Sequence, residues 1–218
     1  MRRSEQLRVT AEIADLLAND TVPMADHTLE KEVFRYTDPG YTQRELESVF
    51  AMHPRVIAVS AQIPEAGDFF ADDVSGEPLL IMRGHDGVVR GFYNICVHRG
   101  TRVVCQEAGS RKRHACPFHG WTYDTEGRLR GVTEAHAFPD LGESQQGLAP
   151  LNVVERHGLI WRLPDGWSDD DLADSLGGLA DERASYGADQ MLLDRTAVLE
   201  QPMNWKFVID GFMETYHF

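Results

Sequence analysis

Two short stretches of this chain each combine a cysteine, a histidine and a glycine, and they constrain the fold more than any other feature. The first is CVHRG at residues 96–100, and the second is CPFHGW at residues 116–121. Each follows a strand-like run, so each is expected to form a loop at the end of a β-strand. If the loops meet, two thiolates and two imidazoles surround one site. The four candidate ligands are Cys96, His98, Cys116 and His119.

Two metal chemistries use two cysteines and two histidines. A structural zinc ion takes four ligands around one point, and its short spacings usually pair Cys with Cys and His with His. In a Rieske [2Fe–2S] centre, two thiolates hold one iron and two histidines hold the other. Each loop here mixes one Cys with one His, which favours the second arrangement. Zinc stays open as the alternative.

Charge and composition exclude several classes of protein. The 218 residues are 42% hydrophobic with a formal net charge of -14, which repels phosphate backbones and argues against a nucleic-acid partner. Mean hydropathy is -0.36, and no apolar run approaches the roughly 20 residues that span a bilayer. The N-terminus lacks the apolar segment of a signal peptide. We therefore expect a cytoplasmic protein with no membrane partner.

Two smaller features have unremarkable explanations. The basic run SRKRH at residues 110–114 is expected to be a solvated loop tip. Three cysteines form no disulfide framework, and Cys105 lies outside both loops. We expect Cys105 to be a small buried hydrophobic residue.

Strand-like runs dominate residues 55–164, which predicts an antiparallel β domain of short strands. Turn signals occur at Asp86-Gly87, where we expect a tight type I′ hairpin, at residues 125–127 and at His157-Gly158. Residues 191–200, MLLDRTAVLE, predict one more strand.

Helical patterns flank the β region on both sides. Residues 1–50 are expected to be mostly helical, with Thr42 as a helix cap. A second helix is predicted to begin after Ser168, whose three following aspartates suit the positive end of the helix dipole. Apolar residues recur at helical intervals in NWKFVIDGFMETYHF, residues 204–218.

The segment CVHRGTRV…CPFHGWTYDTEG resembles the Rieske domain of ring-hydroxylating oxygenases, non-haem iron enzymes that activate O2. The resemblance implies that Cys96 and Cys116 bind one iron, while His98 and His119 bind the other, reducible iron. It further implies that backbone amides donate to the cluster sulfurs. Aromatic side chains are expected to shield the cluster, namely Phe118 and Trp121.

The end of the chain resembles the start of the catalytic domain in the same family. Such oxygenases bind Fe(II) through two histidines and one carboxylate. The resemblance implies that His217 is the first histidine ligand. Glu214 would be the catalytic acidic bridge to the Rieske histidine of a neighbouring subunit. Because the second histidine and the carboxylate ligand do not follow, we expect an N-terminal part whose catalytic iron site is incomplete.

The predicted fold class is α+β, an antiparallel β Rieske domain flanked by segments of an incomplete α+β catalytic domain. Residues 1–51 are expected to form a helical segment that packs on the catalytic domain. Residues 52–163 are predicted to form the Rieske [2Fe–2S] domain, and residues 164–218 the start of the mononuclear-iron domain.

The predicted function is that of an oxygenase α subunit. It is expected to accept electrons at a [2Fe–2S] cluster and to use them for O2-dependent hydroxylation at a mononuclear Fe(II). The substrate is expected to be a small organic molecule, with an aromatic compound as the first choice. The alternatives are a Rieske electron-transfer protein without oxygenase activity and an oxygenase acting on a quaternary amine. The resemblance implies electrons from NAD(P)H through a reductase, sometimes with a ferredoxin, and a homo-oligomer, usually a trimer.

Overall fold

The structure is a computed structural model that describes residues 2–24, 26–73, 76–141 and 147–213. It divides into two compact units. One contains the residues up to Leu46 together with those from Glu200 onwards, and the other is Glu47–Leu199. In the described residues no helix has both the length and the apolar character needed to cross a bilayer.

The larger unit is built from short strands in antiparallel sheets. Their bounds are β1 Arg55–Val59, β2 Asp68–Asp72, β3 Leu79–Arg83, β4 Val89–Tyr93, β5 Ala108–Ser110, β6 Arg113–Ala115, β7 Thr122–Asp124, β8 Leu129–Gly131, β9 Pro150–Leu151, β10 Val153–Arg156 and β11 Leu159–Arg162. The sheets have the strand orders β1-β11-β10, β5-β2-β3-β4-β9 and β6-β7-β8. The predicted antiparallel β domain is therefore confirmed.

The three hairpins are where the turn residues predict them, but only one is a tight type I′ turn. His157 and Gly158 have φ of 53° and 73° and join β10 directly to β11. The turn at Asp86-Gly87 belongs to a longer loop between β3 and β4, and only its glycine has positive φ. A type I′ turn needs positive φ at both central residues. The prediction of a tight type I′ turn at Asp86-Gly87 is therefore wrong.

Both candidate cysteines belong to the largest core cluster of the β unit. Strand β3 is buried at four of its five positions, because sheets or loops cover both of its faces. The cluster buries Cys96 and Cys116 beside large apolar side chains from β2, β3, β4 and β7. Its aromatic members are Phe69, Phe92, Trp121 and Tyr123.

After the β region, α4 spans Asp169–Leu176 and α5 spans Gly178–Ser185. Ser168 caps α4 as predicted: its hydroxyl accepts from the Asp171 N–H, and the Asp171 carboxylate accepts from the Ser168 N–H at 2.7 Å. The strand predicted at residues 191–200 is wrong, because that segment pairs with no strand among the described residues.

The smaller unit contains α1 Arg3–Ala18, α2 Phe34–Thr37, α3 Pro39–Glu45 and α6 Trp205–Met213. The cap of α3 is Asp38, whose carboxylate accepts from the Tyr41 N–H at 2.6 Å, so Thr42 is not the cap. Proline at the first position of α3 has no N–H to satisfy, which explains the helix start.

Polar contacts fasten α6 within this unit. The Lys206 ammonium contacts the Glu45 carboxylate at 2.6 Å, with both side chains mostly buried. One turn later Asp210 accepts hydrogen bonds from Lys31 and Tyr36, each at 2.7 Å. The helix predicted from apolar spacing in the last segment is thus confirmed over residues 205–213. Glu214 and His217 lie outside the described residues.

Candidate iron–sulfur centre

The two cysteine loops have the same backbone geometry. In each loop the cysteine N–H donates to the carbonyl oxygen five residues further on, at 2.8 Å for both Cys96 and Cys116. The N–H of Gly100 or Gly120, four residues after its cysteine, donates back to the cysteine carbonyl at 2.9 Å. Both glycines have φ of 71°. This left-handed conformation is costly for other residues, so a glycine at the same offset closes both loops.

The loops bring the four predicted ligands together in two chemical pairs. The thiols of Cys96 and Cys116 are buried, form no disulfide and are close enough to raise the pKa of Cys116. The rings of His98 and His119 have their centroids 4.8 Å apart. Each loop therefore contributes its sulfur to one pair and its imidazole to the other.

This paired arrangement separates the two metal chemistries that the sequence left open. In the described part of the chain, no three His, Cys, Asp or Glu side chains surround one point that could hold a single metal ion. A structural zinc ion needs four ligands around such a point. A [2Fe–2S] centre of the Rieske type needs only two ligands at each of two irons. The donor set and its pairing fit that cluster.

Hydrogen-bond donors already point at both sulfurs. The backbone N–H groups of Phe118 and His119 donate to the sulfur of Cys116. The Tyr123 hydroxyl lies 3.2 Å from the sulfur of Cys96, and its oxygen also accepts from the Val97 N–H at 3.2 Å. Such donors stabilise negative charge on sulfur, and they are one of the features that set the reduction potential of an iron–sulfur cluster.

The titration behaviour of the side chains follows from their surroundings. Burial raises the pKa of the Cys116 thiol, as does its contact with Cys96, while the two loop amides oppose this shift. Burial also raises the pKa of Tyr123, so that its hydroxyl stays protonated and can donate. Partial burial, together with neighbouring His119 and Arg99, lowers the pKa of His98. Neutral imidazole is the form that binds a metal.

Aromatic rings hold the two imidazoles. Trp121 is 2% exposed and stacks on His98 with an interplanar angle of 6° and a centroid distance of 4.7 Å. Phe138 meets both of these rings edge-on. Phe118 lies against His119 at 3.9 Å but is 56% exposed. Of the two aromatic residues predicted to shield the centre, Trp121 is therefore enclosed in the core, whereas Phe118 mainly faces solvent.

Two supporting residues were not identified from the sequence. One is Tyr123, described above. The other is Asn94, 1% exposed, whose side-chain oxygen accepts from the N–H groups of Val103 and Val104. Its amide donates to the Val104 carbonyl at 2.7 Å, which ties the strand before Cys96 to the segment after it. A buried Asn at the end of an apolar strand was the available signal, because such a group must find partners.

Two predictions about residues near the loops are wrong. Cys105 is exposed, because the chain leaves the core after the buried Val104 and residues 105–113 all lie at the surface. In the basic run, residues 111–113 are exposed as expected, but His114 is 1% exposed and packs edge-on against Phe69. Burial, followed by the nearby Arg111 charge, lowers the pKa of His114 to about 4.

Comparison with known proteins agrees with this geometry. The model of the Rieske [2Fe–2S] domain matches residues 53–147. These residues are a Rieske domain. The match includes both cysteine loops and all four predicted ligands, although which residue binds which iron stays a prediction.

The chain is also homologous to oxygenase subunits of Rieske enzymes. It is 29% identical to the carnitine monooxygenase oxygenase subunit of Escherichia coli K12, over 84% of this chain and 49% of that protein. It is 35% identical to the biphenyl 2,3-dioxygenase subunit alpha of Rhodococcus jostii RHA1, over 84% of this chain and 41% of that protein. The chain thus spans about half the length of the curated relatives it matches.

A solved structure with the same fold is that of a quaternary ammonium Rieske monooxygenase, described as revealing carnitine oxidation and inter-subunit electron transfer. Its TM-score to this chain is 0.76 at 29% identity, over 85% of this chain and 51% of that one. The similarity extends beyond the Rieske domain, because the matched share of this chain is nearly twice the length of residues 53–147.

Proposed function

We propose that this chain is the electron-accepting part of a Rieske non-haem iron oxygenase α subunit. The observation that carries the proposal is the pairing of two buried thiols and two imidazoles by loops of identical backbone geometry. In this assignment Cys96 and Cys116 hold one iron, and His98 and His119 hold the other. When bound, the [2Fe–2S] cluster supplies one-electron redox chemistry.

The surrounding residues separate a buried end from an accessible end of the site. Both thiols are buried, whereas His119 is exposed and His98 is partly exposed. The imidazole end is therefore the part that another protein surface can approach. Trp121 fixes the plane of His98 by stacking, so the ring is oriented before any partner arrives.

The proposed whole activity is O2-dependent hydroxylation of a small organic substrate at a mononuclear Fe(II). In it Glu214 acts as the catalytic acidic bridge and His217 as the first histidine ligand of that iron. Electrons come from NAD(P)H through a reductase and in some systems a ferredoxin. We further propose that the protein is cytoplasmic and assembles as a homo-oligomer, namely a trimer. The inter-subunit electron transfer described for the quaternary ammonium monooxygenase supports such an assembly.

We propose the same domain organisation that the sequence predicts. It consists of a helical segment at 1–51, the Rieske domain at 52–163 and the start of the catalytic domain at 164–218. The homology beyond residues 53–147 supports an oxygenase over a protein that only transfers electrons.

Two substrate classes have support. An aromatic substrate is supported by the 35% identity to a biphenyl dioxygenase subunit. A quaternary amine is supported by the carnitine monooxygenase relative and by the quaternary ammonium monooxygenase structure.

The ligand assignment is tested by anaerobic reconstitution with iron and sulfide. We expect about two irons and two acid-labile sulfides per chain, a brown colour and a Rieske-type EPR signal on reduction. Cys96→Ser should lose the signal. Cys105→Ser is the matched control and should keep it, because Cys105 is exposed and lies outside both loops. A colourless wild-type protein that binds zinc without sulfide would contradict the proposal.

The substrate class is tested with the full-length protein and its reductase, by measuring O2-dependent product formation from biphenyl and from carnitine. Turnover of carnitine alone would select the quaternary-amine alternative. A reducible cluster with no turnover of either compound, and no O2 consumption coupled to NAD(P)H, would favour an electron-transfer protein.

A further inference from the structure

One surface of the Rieske domain carries concentrated positive charge in a strongly acidic chain. The turn between β5 and β6 presents Arg111 and Lys112, and Arg113 begins β6; all three are exposed. Arg130 on β8 lies on the same small sheet as Arg113. We call these four residues the basic face. The whole chain has a formal net charge of -14, so the basic face is opposite in sign to the molecule around it.

Neighbouring acids do not neutralise the basic face. Within the described residues, Arg111, Lys112 and Arg113 take part in no ion pair, whereas most other arginines of the same unit do. Asp124 is the cross-strand partner of Arg113, but its carboxylate is bonded to Arg130 at 2.6 Å. Of the four cations, Arg130 is the one that forms an ion pair within the described residues.

The basic turn is held in place by the sheet. The Arg111 N–H donates to the Gly67 carbonyl at 2.8 Å, and β5 pairs with β2 immediately before the turn. The Arg111 guanidinium lies 5.7 Å from the centre of the Phe69 ring, a cation–π distance. A turn fixed on both sides presents its charges in a constant arrangement, which lowers the entropy lost when a partner binds.

The basic face lies beside the second cysteine loop. Burial alternates along β6, so that Arg113 and Ala115 face solvent while His114 faces the core. Strand β6 is an edge strand and leads directly into Cys116. Arg113 and Cys116 are three residue steps apart along the chain, which is about 10 Å in a strand. A protein bound at the basic face is therefore close to the cluster site.

We infer that the basic face is the docking surface for an acidic electron-donor protein. The inference rests on the proposed function, because only a donor or acceptor of electrons needs to approach the cysteine loops this closely. An acidic donor is repelled by the chain as a whole and attracted by this one surface. That contrast orients the encounter and raises the association rate.

The test measures binding to the reconstituted protein by titration calorimetry, with an acidic plant-type [2Fe–2S] ferredoxin as the probe. Lys112→Glu reverses one charge in the turn, outside any strand. Arg195→Glu is the matched control with the same change in net charge, because Arg195 is exposed and its one ion pair within the described residues is with the adjacent Asp194, at 3.9 Å. Arg113→Glu is a second variant of the basic face.

We expect wild-type binding to weaken steeply between about 20 mM and about 300 mM salt, because salt screens exposed charges. At the lower salt, Lys112→Glu and Arg113→Glu should each raise Kd about tenfold, and Arg195→Glu less than about twofold. At the higher salt the three variants should converge.

Several results would overturn the inference. These are no binding of the wild type at low salt, equal effects of Lys112→Glu and Arg195→Glu, or salt-sensitive self-association in sedimentation velocity that Lys112→Glu abolishes. The last result would assign the face to a second copy of the chain. Absorbance and EPR of each sample are recorded first. A missing cluster in the wild type refutes the proposed function, whereas an intact cluster with unaltered binding refutes only the docking surface.

Discussion

The hydroxyl of Tyr123 provides a sharp test of how the protein tunes its cluster. Its oxygen accepts from the Val97 N–H and lies 3.2 Å from the sulfur of Cys96. A cluster-binding thiolate has no hydrogen to donate, so in the loaded protein the Tyr123 hydroxyl would be the donor of this hydrogen bond. Tyr123 is fully buried in the core. The substitution Tyr123→Phe removes the oxygen and leaves the ring to fill the same volume. The expected result is a cluster that assembles normally but has a lower midpoint potential.

The size of the expected change in midpoint potential follows from the negative charge on the sulfur that accepts the hydrogen bond. A hydrogen bond to a charged group contributes about 1.5–3 kcal/mol. Reduction adds one negative charge, so the bond strengthens on reduction. If roughly 1 kcal/mol of its energy is gained at that step, losing it lowers the potential by about 40 mV, since a tenfold change is 59 mV for one electron. Loss of the acceptor for the Val97 N–H affects both oxidation states alike.

The assay is an EPR-monitored redox titration of the reconstituted protein. Tyr186→Phe is the matched control: it removes a hydroxyl that donates to Glu182 at 3.0 Å on α5, far along the chain from either loop. Its potential should equal that of the wild type. The reasoning fails if Tyr123→Phe stays within about 10 mV of the wild type or moves to a higher potential. It also fails if the variant cannot assemble a cluster, because the hydroxyl would then be needed for assembly.

Three further substitutions test other parts of the account. His119→Cys replaces a neutral ligand with an anionic one and should keep a cluster of lower potential in the same titration; an unchanged potential would contradict the ligand assignment. Ser168→Ala removes the α4 capping box with Asp171 and should cost about 1 kcal/mol in urea unfolding, whereas a change below about 0.3 kcal/mol would show that the cap is unimportant. Burial raises the pKa of Glu155, but the hydrogen bonds to Arg83 and Ser60 together with the Arg83 charge outweigh it, and the net pKa is lowered from 4.5. Its stabilisation is therefore present above about pH 4.5 and lost as the pH falls through the folded pKa. Glu155→Gln should flatten the fall in Tm below that pH, and an unaltered pH profile would refute this role.

The errors made from the sequence have a common physical origin. Residues 191–200 carry enough β-branched and apolar residues to suggest a strand, yet β propensity depends on a neighbouring strand to pair with. Cys105 was expected to be buried because free cysteines usually are, but its segment crosses the surface between two strands. The cap of α3 was placed at Thr42, whereas Asp38 and the following proline begin the helix four residues earlier. Each error assigned to a single residue a property that its surroundings decide.

The sequence by itself determined the two cysteine loops, the cysteine and histidine that each loop offers as candidate ligands, and the glycine that closes each loop. These features are local, since a residue and its partner lie within five positions and spacing alone specifies the backbone turn. Only the tertiary structure decided which groups surround them. The Tyr123 hydroxyl contacts Cys96, which is 27 residues earlier in the chain, and Trp121 stacks on His98 of the other loop. Asp124 pairs with Arg130, which leaves Arg113 without an ion-pair partner among the described residues. Such contacts depend on how the sheets pack, and no short spacing records that packing.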